Sequence, residues 1–265
     1  MGRKCGGYLS AAGAVLSRRM GRWPWYYFLG AFAVVPFILL SVAALPMDAK
    51  IRYCILDLQY PSLVPMYLMH YTHSEIPHLA SNISFYLITL TALFLLETSR
   101  RRLFWVSAGF FTVLPFALSI LSIVFLPYFG SARWAEGFSG IAFAFFGYAV
   151  ALAMMSVYQR FLSRAQEGWN RLNGFLEVCT LLDIACFDAA LFLGILFLGI
   201  TFGKIGPENG LAHFSGYIAG AFAPLILGVS WKRRDSLARL CLILVLIGTI
   251  NIYILYGIRA AAILG

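Results

Sequence analysis

Charge is scarce in this sequence: 12% of its 265 residues are Asp, Glu, Lys or Arg, against 61% hydrophobic ones. A water-soluble domain of that length would have to expose large apolar patches, so soluble function classes are excluded first. The five cysteines show neither metal spacing nor a paired framework. Cys179, Cys186 and Cys241 fall in or beside apolar runs and are read as buried, unreactive thiols, and neither a metal nor another cofactor is expected. No hydrophilic stretch reaches the ~40 residues that a small independent core requires, so no appended soluble domain is expected. The first apolar run follows a basic lead-in but is too long for a signal segment and lacks a small-residue cleavage site, so it is kept as a span. The opening Met1-Gly2-Arg3-Lys4-Cys5-Gly6 has no Ser or Thr at position six, and no lipid anchor is expected.

What is abundant is apolar sequence in blocks. Runs such as Tyr26 to Leu45 and Leu237 to Tyr256 reach the ~20 residues that carry a helix across a bilayer. They are apolar all round, whereas the strands of a membrane barrel alternate, so the expected fold class is an all-α polytopic membrane protein. Seven spans are predicted, centred on 26–45, 79–96, 103–126, 137–156, 178–201, 210–229 and 237–256. With the N-terminus cytoplasmic, the inner segments hold 15 of the 20 Lys and Arg residues. That asymmetry sets the orientation, with the C-terminus outside, and accounts for the net charge of +9 without a nucleic-acid partner. The expected organisation is a basic cytoplasmic segment over 1–25, a six-span core over 26–230, and an inner basic turn with a seventh span over 231–265.

An inner N-terminus makes the second, fourth and sixth spans start at the same face. The polar residues cluster there: His73, His78 and Asn82 at the second, Gly137-Phe138-Ser139-Gly140 at the fourth, Ala212-His213 at the sixth, with His70 just ahead. Each has an ordinary reading when taken alone. A serine in a membrane helix is usually a packing residue, and a histidine at a span end is often solvated by headgroups. Together they fit acyl transfer. Serine is a poor nucleophile until a base takes its proton, and His213 is the imidazole on a facing inner helix. The Ser139 N–H at a helix start, the Asn82 amide and His78 are the natural donors to an oxyanion. Phe143, one turn below Ser139, is expected to pack under the His213 ring. Gly216 and Gly220 on one span, and Gly140, Ala144 and Gly147 on the other, form small-residue faces that would let the two backbones approach.

The strings His78-x-x-x-Asn82, Gly137-x-Ser139-Gly140 and Ala212-His213-x-x-Gly216-x-x-x-Gly220, in this order on alternate spans, resemble the rhomboid family of intramembrane serine proteases. The likeness covers about residues 65–230 and extends to His73, to Glu97 at the end of the second span, and to Gly147-Tyr148. It implies a six-span helical bundle, here with a seventh span, that hydrolyses peptide bonds near the outer end of substrate transmembrane segments with a Ser139/His213 dyad. It also implies transmembrane protein substrates, a bilayer setting in the cell membrane, and no cofactor.

The family's long loop after the first span often carries a Trp-Arg pair, whereas residues 46–72 have no tryptophan and offer only Ile51-Arg52-Tyr53. That leaves the loop without an assigned role. Glu136 and Glu208 are expected in connecting loops as hydrated charges, and Asp183 and Asp188 in the fifth span as structural carboxylates. The aromatic half of that span, Phe192, Phe197 and Phe202, is the expected lateral gate. Two other classes remain as alternatives: a catalytically silent relative that binds membrane clients, and a small transporter. The silent relatives lack the serine or the base, which this chain keeps, and the internal repeat common in transporters is missing.

Overall fold

The structure, a computed structural model, describes residues 21, 23–126, 134–167 and 207–226. Within them three helices are long and apolar enough to cross a membrane, so the protein belongs to the helical membrane class. The first is α1 (Trp25–Ala43), which widens into π-helical turns over Leu29–Val34. Pro36 follows directly: its ring cannot donate to the carbonyl four residues back and would clash with it, and wider turns relieve that clash. Side chains such as Trp25 and Phe37 remain over two-thirds exposed, the lipid-facing side expected of a helix that is apolar all round.

The connection that follows is built. It contains α2 (Met47–Tyr53), β1 (Leu56–Asp57), α3 (Leu63–Leu68) and a 3-10 turn over Met69–Tyr71. Next come α4 (Ile76–Leu96) and α5 (Arg100–Phe125), the latter bent at Val113. The bend has a local cause in Pro115, which has no N–H for the Phe111 carbonyl. That carbonyl is satisfied instead by the Tyr67 and Tyr71 hydroxyls, at 2.9 and 2.8 Å, so the kink in α5 is also what anchors the end of the connection. β2 (Trp134–Ala135), α6 (Ser139–Glu167) and α7 (Pro207–Ile226) complete the described elements.

α4, α6 and α7 run in the same direction, because their contacts advance together. Tyr86 meets Phe138 and Phe145 edge-on at 5.5 and 5.4 Å, and further along the Tyr148 hydroxyl donates to Glu97. Glu97 is buried and also accepts from the N–H groups of Thr98 and Ser99, with Arg102 3.5 Å away, so it ties the end of α4 to the start of α5 and to the middle of α6. Between α6 and α7 the approach is backbone to backbone. A methyl group on Gly216 would lie 2.0 Å from the Gly140 carbonyl oxygen, and one on Gly220 would lie 1.9 Å from that of Ala144. Only hydrogen fits at either position, which is why a helix pair can pack this closely here.

Two boundaries differ from the sequence expectation. α6 continues as helix to Glu167 rather than ending near 156, because residues 157–167 contain no Pro or Gly and helix propensity does not end where hydropathy does. α7 starts at Pro207, so Glu208 lies in the first helical turn and not in a connecting loop; proline suits that first position, where an N–H has no intrahelical acceptor. The expected spans 178–201 and 237–256, with Asp183, Asp188 and the gate aromatics, lie outside the described residues.

Candidate active site

Ser139 is the first residue of α6, and so one of the four whose N–H has no acceptor within the helix. The chain reaches it through Gly137, whose φ of +131° is a conformation that residues with a Cβ rarely adopt. Three ties hold this approach. β2 pairs antiparallel with β1, Leu56 opposite Ala135 and Asp57 opposite Trp134. The Gly137 N–H donates to the Met69 carbonyl at 2.8 Å. The Glu136 carboxylate accepts from the Ser74 N–H at 2.8 Å and from its hydroxyl. Glu136 is therefore not the freely hydrated charge expected from sequence: it joins the segment before α4 to the segment before α6. Residues 46–72, which had no assigned role, are the frame that aims the serine.

His213 lies in α7 with its ring stacked on Phe143 at 4.3 Å and 15° between planes, which fixes the imidazole plane. Ser139 is brought to the same end, because a methyl group on its neighbour Gly140 would meet the Ala212 carbonyl oxygen at 3.3 Å. Ser139 is 4% exposed, and His213 Nε2 is buried without a hydrogen-bond partner among the described residues. The two residues lie at the same end of the α6–α7 pair, but no Ser–His hydrogen bond is formed. In unliganded sites such bonds are often open and tighten with substrate.

Sequence reasoning gave no site role to His73, and the structure gives it a central position. Its Nε2 receives both the Asn82 amide, at 2.7 Å, and the Phe138 N–H, at 3.3 Å. A backbone N–H can only donate, so Nε2 must be the bare acceptor, the ring proton sits on Nδ1, and Asn82 turns its NH2 toward the ring. The amide keeps a second hydrogen for another acceptor. His78, half-buried, has its ring 5.4 Å from that of His73. The sequence signals for His73 were its place in the polar cluster at the start of the second span and its position five residues before His78. Burial pushes His73 down to about 4, helped by the neighbouring His78 and Lys50, which keeps it neutral and able to accept.

His70 is also buried. The Ser119 hydroxyl donates to the Met66 carbonyl, so its oxygen accepts from His70 Nε2–H, 3.1 Å away. Burial pushes His70 down to about 4, partly offset by the Pro115 and Gly137 carbonyls, which favour the protonated ring. A cavity of about 420 Å³ opens over these groups, lined by His70, His73, Ser74, Glu75, His78, Ser122, Glu136, Gly137, Ser139 and Ala212. Its walls are polar, and a polar cavity of that size holds water. Among the described residues no cluster of His, Cys, Asp and Glu has a geometry that could hold a metal ion.

No family model, curated protein or solved structure matches this chain. The fold and the site define a helical membrane protein with a buried serine, a stacked histidine and a water-accessible polar cavity at one end of three parallel helices.

Proposed function

We propose that this chain is a rhomboid-type intramembrane serine endopeptidase, with Ser139 as nucleophile and His213 as its base. The observation that carries the reading is that Ser139, at the start of α6, and His213, in the second turn of α7, lie at the same end of two parallel helices in backbone contact, with Phe143 holding the imidazole plane. The Ser139 N–H, the second Asn82 hydrogen and His78 are the donors for the oxyanion, and the polar cavity supplies the water that releases the acyl enzyme. The cut falls near the outer end of a substrate span, where the spans bearing Ser139 and His213 begin. Substrates unwind locally before attack, so helix-weakening Gly or Pro in the span promotes cleavage, and a small residue precedes the cut.

The test is incubation of the purified protein in detergent with a single-span substrate, beside a Ser139→Ala control, with the products mapped by mass spectrometry. Cleavage near the outer end in the wild type alone is the expected result. Cleavage at the cytoplasmic end, equal cleavage by the control, or faster cleavage after Gly and Pro of the substrate are replaced by Leu would overturn the reading. One observation favours a second reading, a client-binding protein that does not cut: His213 Nε2 has no hydrogen-bond partner among the described residues. Stable capture of the substrate without products would select that alternative.

A further inference from the structure

Lys50 is a buried cation that the chemistry above does not use. It projects from α2 in the 46–72 connection and is 6% exposed, yet it forms no ion pair among the described residues. A buried ammonium with no carboxylate partner among the described residues is costly to keep. Its one hydrogen bond identifies the place. Lys50 Nζ donates to the His73 carbonyl oxygen at 3.3 Å, and the ring of the same His73 holds the Asn82 amide. His73 Nε2 and Ser139 Oγ also border one spot: a methyl group on Gly137 would lie 4.0 and 3.9 Å from them. The charge therefore sits on the main chain of the residue whose ring holds one of the donors assigned to the oxyanion.

We infer that Lys50 is a positioning residue of the oxyanion site, holding the His73 main chain in place and supplying the fixed positive charge that the anionic tetrahedral intermediate meets. The inference rests on the serine-protease reading. Lys50 touches no reacting atom and acts through His73 and Asn82. In the ground state its charge has no ionic partner among the described residues. When the acyl carbon becomes tetrahedral, negative charge appears at the donors that His73 orients, where the low dielectric of a buried site magnifies the attraction. Stabilisation that exists only in the transition state raises kcat and leaves substrate binding nearly unchanged.

The test compares Lys50→Met, Lys50→Gln and Lys50→Arg in the full chain. Lys50→Gln keeps an N–H for the His73 carbonyl and removes the charge, so it serves if the Met variant does not fold. Loss of charge is expected to lower kcat about tenfold with little change in KM, and Lys50→Arg to retain most of the activity. A peptidyl boronate, whose adduct carries the negative charge, should lose affinity in parallel, while a neutral peptide of the same sequence should not; a merely structural role would weaken both. Wild-type cleavage with unchanged kcat and boronate affinity in Lys50→Gln would overturn this inference alone. A wild type that cuts no substrate would overturn the protease reading and this inference with it.

Discussion

His73 Nε2 accepts the side-chain amide of Asn82 at 2.7 Å, across nine residues of sequence and the turn into α4. The bond settles two assignments at once, since the Phe138 N–H on the same nitrogen makes the ring an acceptor and therefore makes Asn82 a donor. An amide held this way is preorganised: its remaining hydrogen is already oriented before any oxyanion forms.

Ser139→Ala and His213→Ala are each expected to reduce cleavage below a few per cent while leaving a folded, membrane-inserted protein. The two act as one proton-transfer unit, so the double variant should be no worse than either single one. Initial rates on a single-span substrate for the three purified variants check this, and additive losses would separate the residues.

Asn82→Ala is expected to lower turnover by ~10² or somewhat less, because other donors remain and one lost donor typically costs ~10² to 10³. His78→Ala should behave similarly. His73→Phe keeps the ring volume but removes the acceptor, leaving the Asn82 amide unheld; a kcat loss of about tenfold, smaller than that of Asn82→Ala, is the expected result. A kcat for His73→Phe equal to wild type would show that Asn82 is oriented by something else.

The glycines provide a contrast within one protein. Gly220→Ala places a methyl group 1.9 Å from the Ala144 carbonyl oxygen, backbone that cannot yield unless α7 moves off α6, and a loss of about 1–3 kcal/mol is expected together with loss of activity. Gly109→Ala in α5 meets nothing within 4 Å and should be neutral or stabilising by a few tenths of a kcal/mol or more, through helix propensity alone. Thermal midpoints in detergent distinguish the two.

Stability should fall on mild acidification. His70 and His73 are held near 4 by burial, against an ordinary 6.5. Between those values the unfolded chain binds protons that the folded chain refuses, so stability rises with pH across the window and is lost as pH drops from about 6.5 to about 4. The melting temperature measured at pH 7 and at pH 4.5 should show this decrease. His70→Gln, which can still donate to Ser119 but cannot gain a proton, should have a shallower slope; an unchanged slope would remove His70 from the explanation.

The sequence by itself determined the class and the inventory. Apolar blocks too long and too uniform for any soluble helix require a bilayer, and the expectation that Ser139, His213, His78 and Asn82 sit on alternate spans predicts that they meet at one end, because span parity is a counting argument that needs no coordinates. The Gly216 and Gly220 face was legible for the same reason: small residues four apart share one side of a helix. What only the tertiary structure decided was the set of partners drawn from distant segments. His73, Lys50, Glu136 and the β1–β2 pairing gain their roles from contacts across 23 residues for Lys50 to His73 and 62 for Ser74 to Glu136. Local spacing carries no record of such contacts. Hydropathy also did not show that α6 runs on past residue 156 or that α7 begins at Pro207, since it reports where lipid stops, whereas a helix continues as far as its hydrogen bonds and its proline or glycine residues allow.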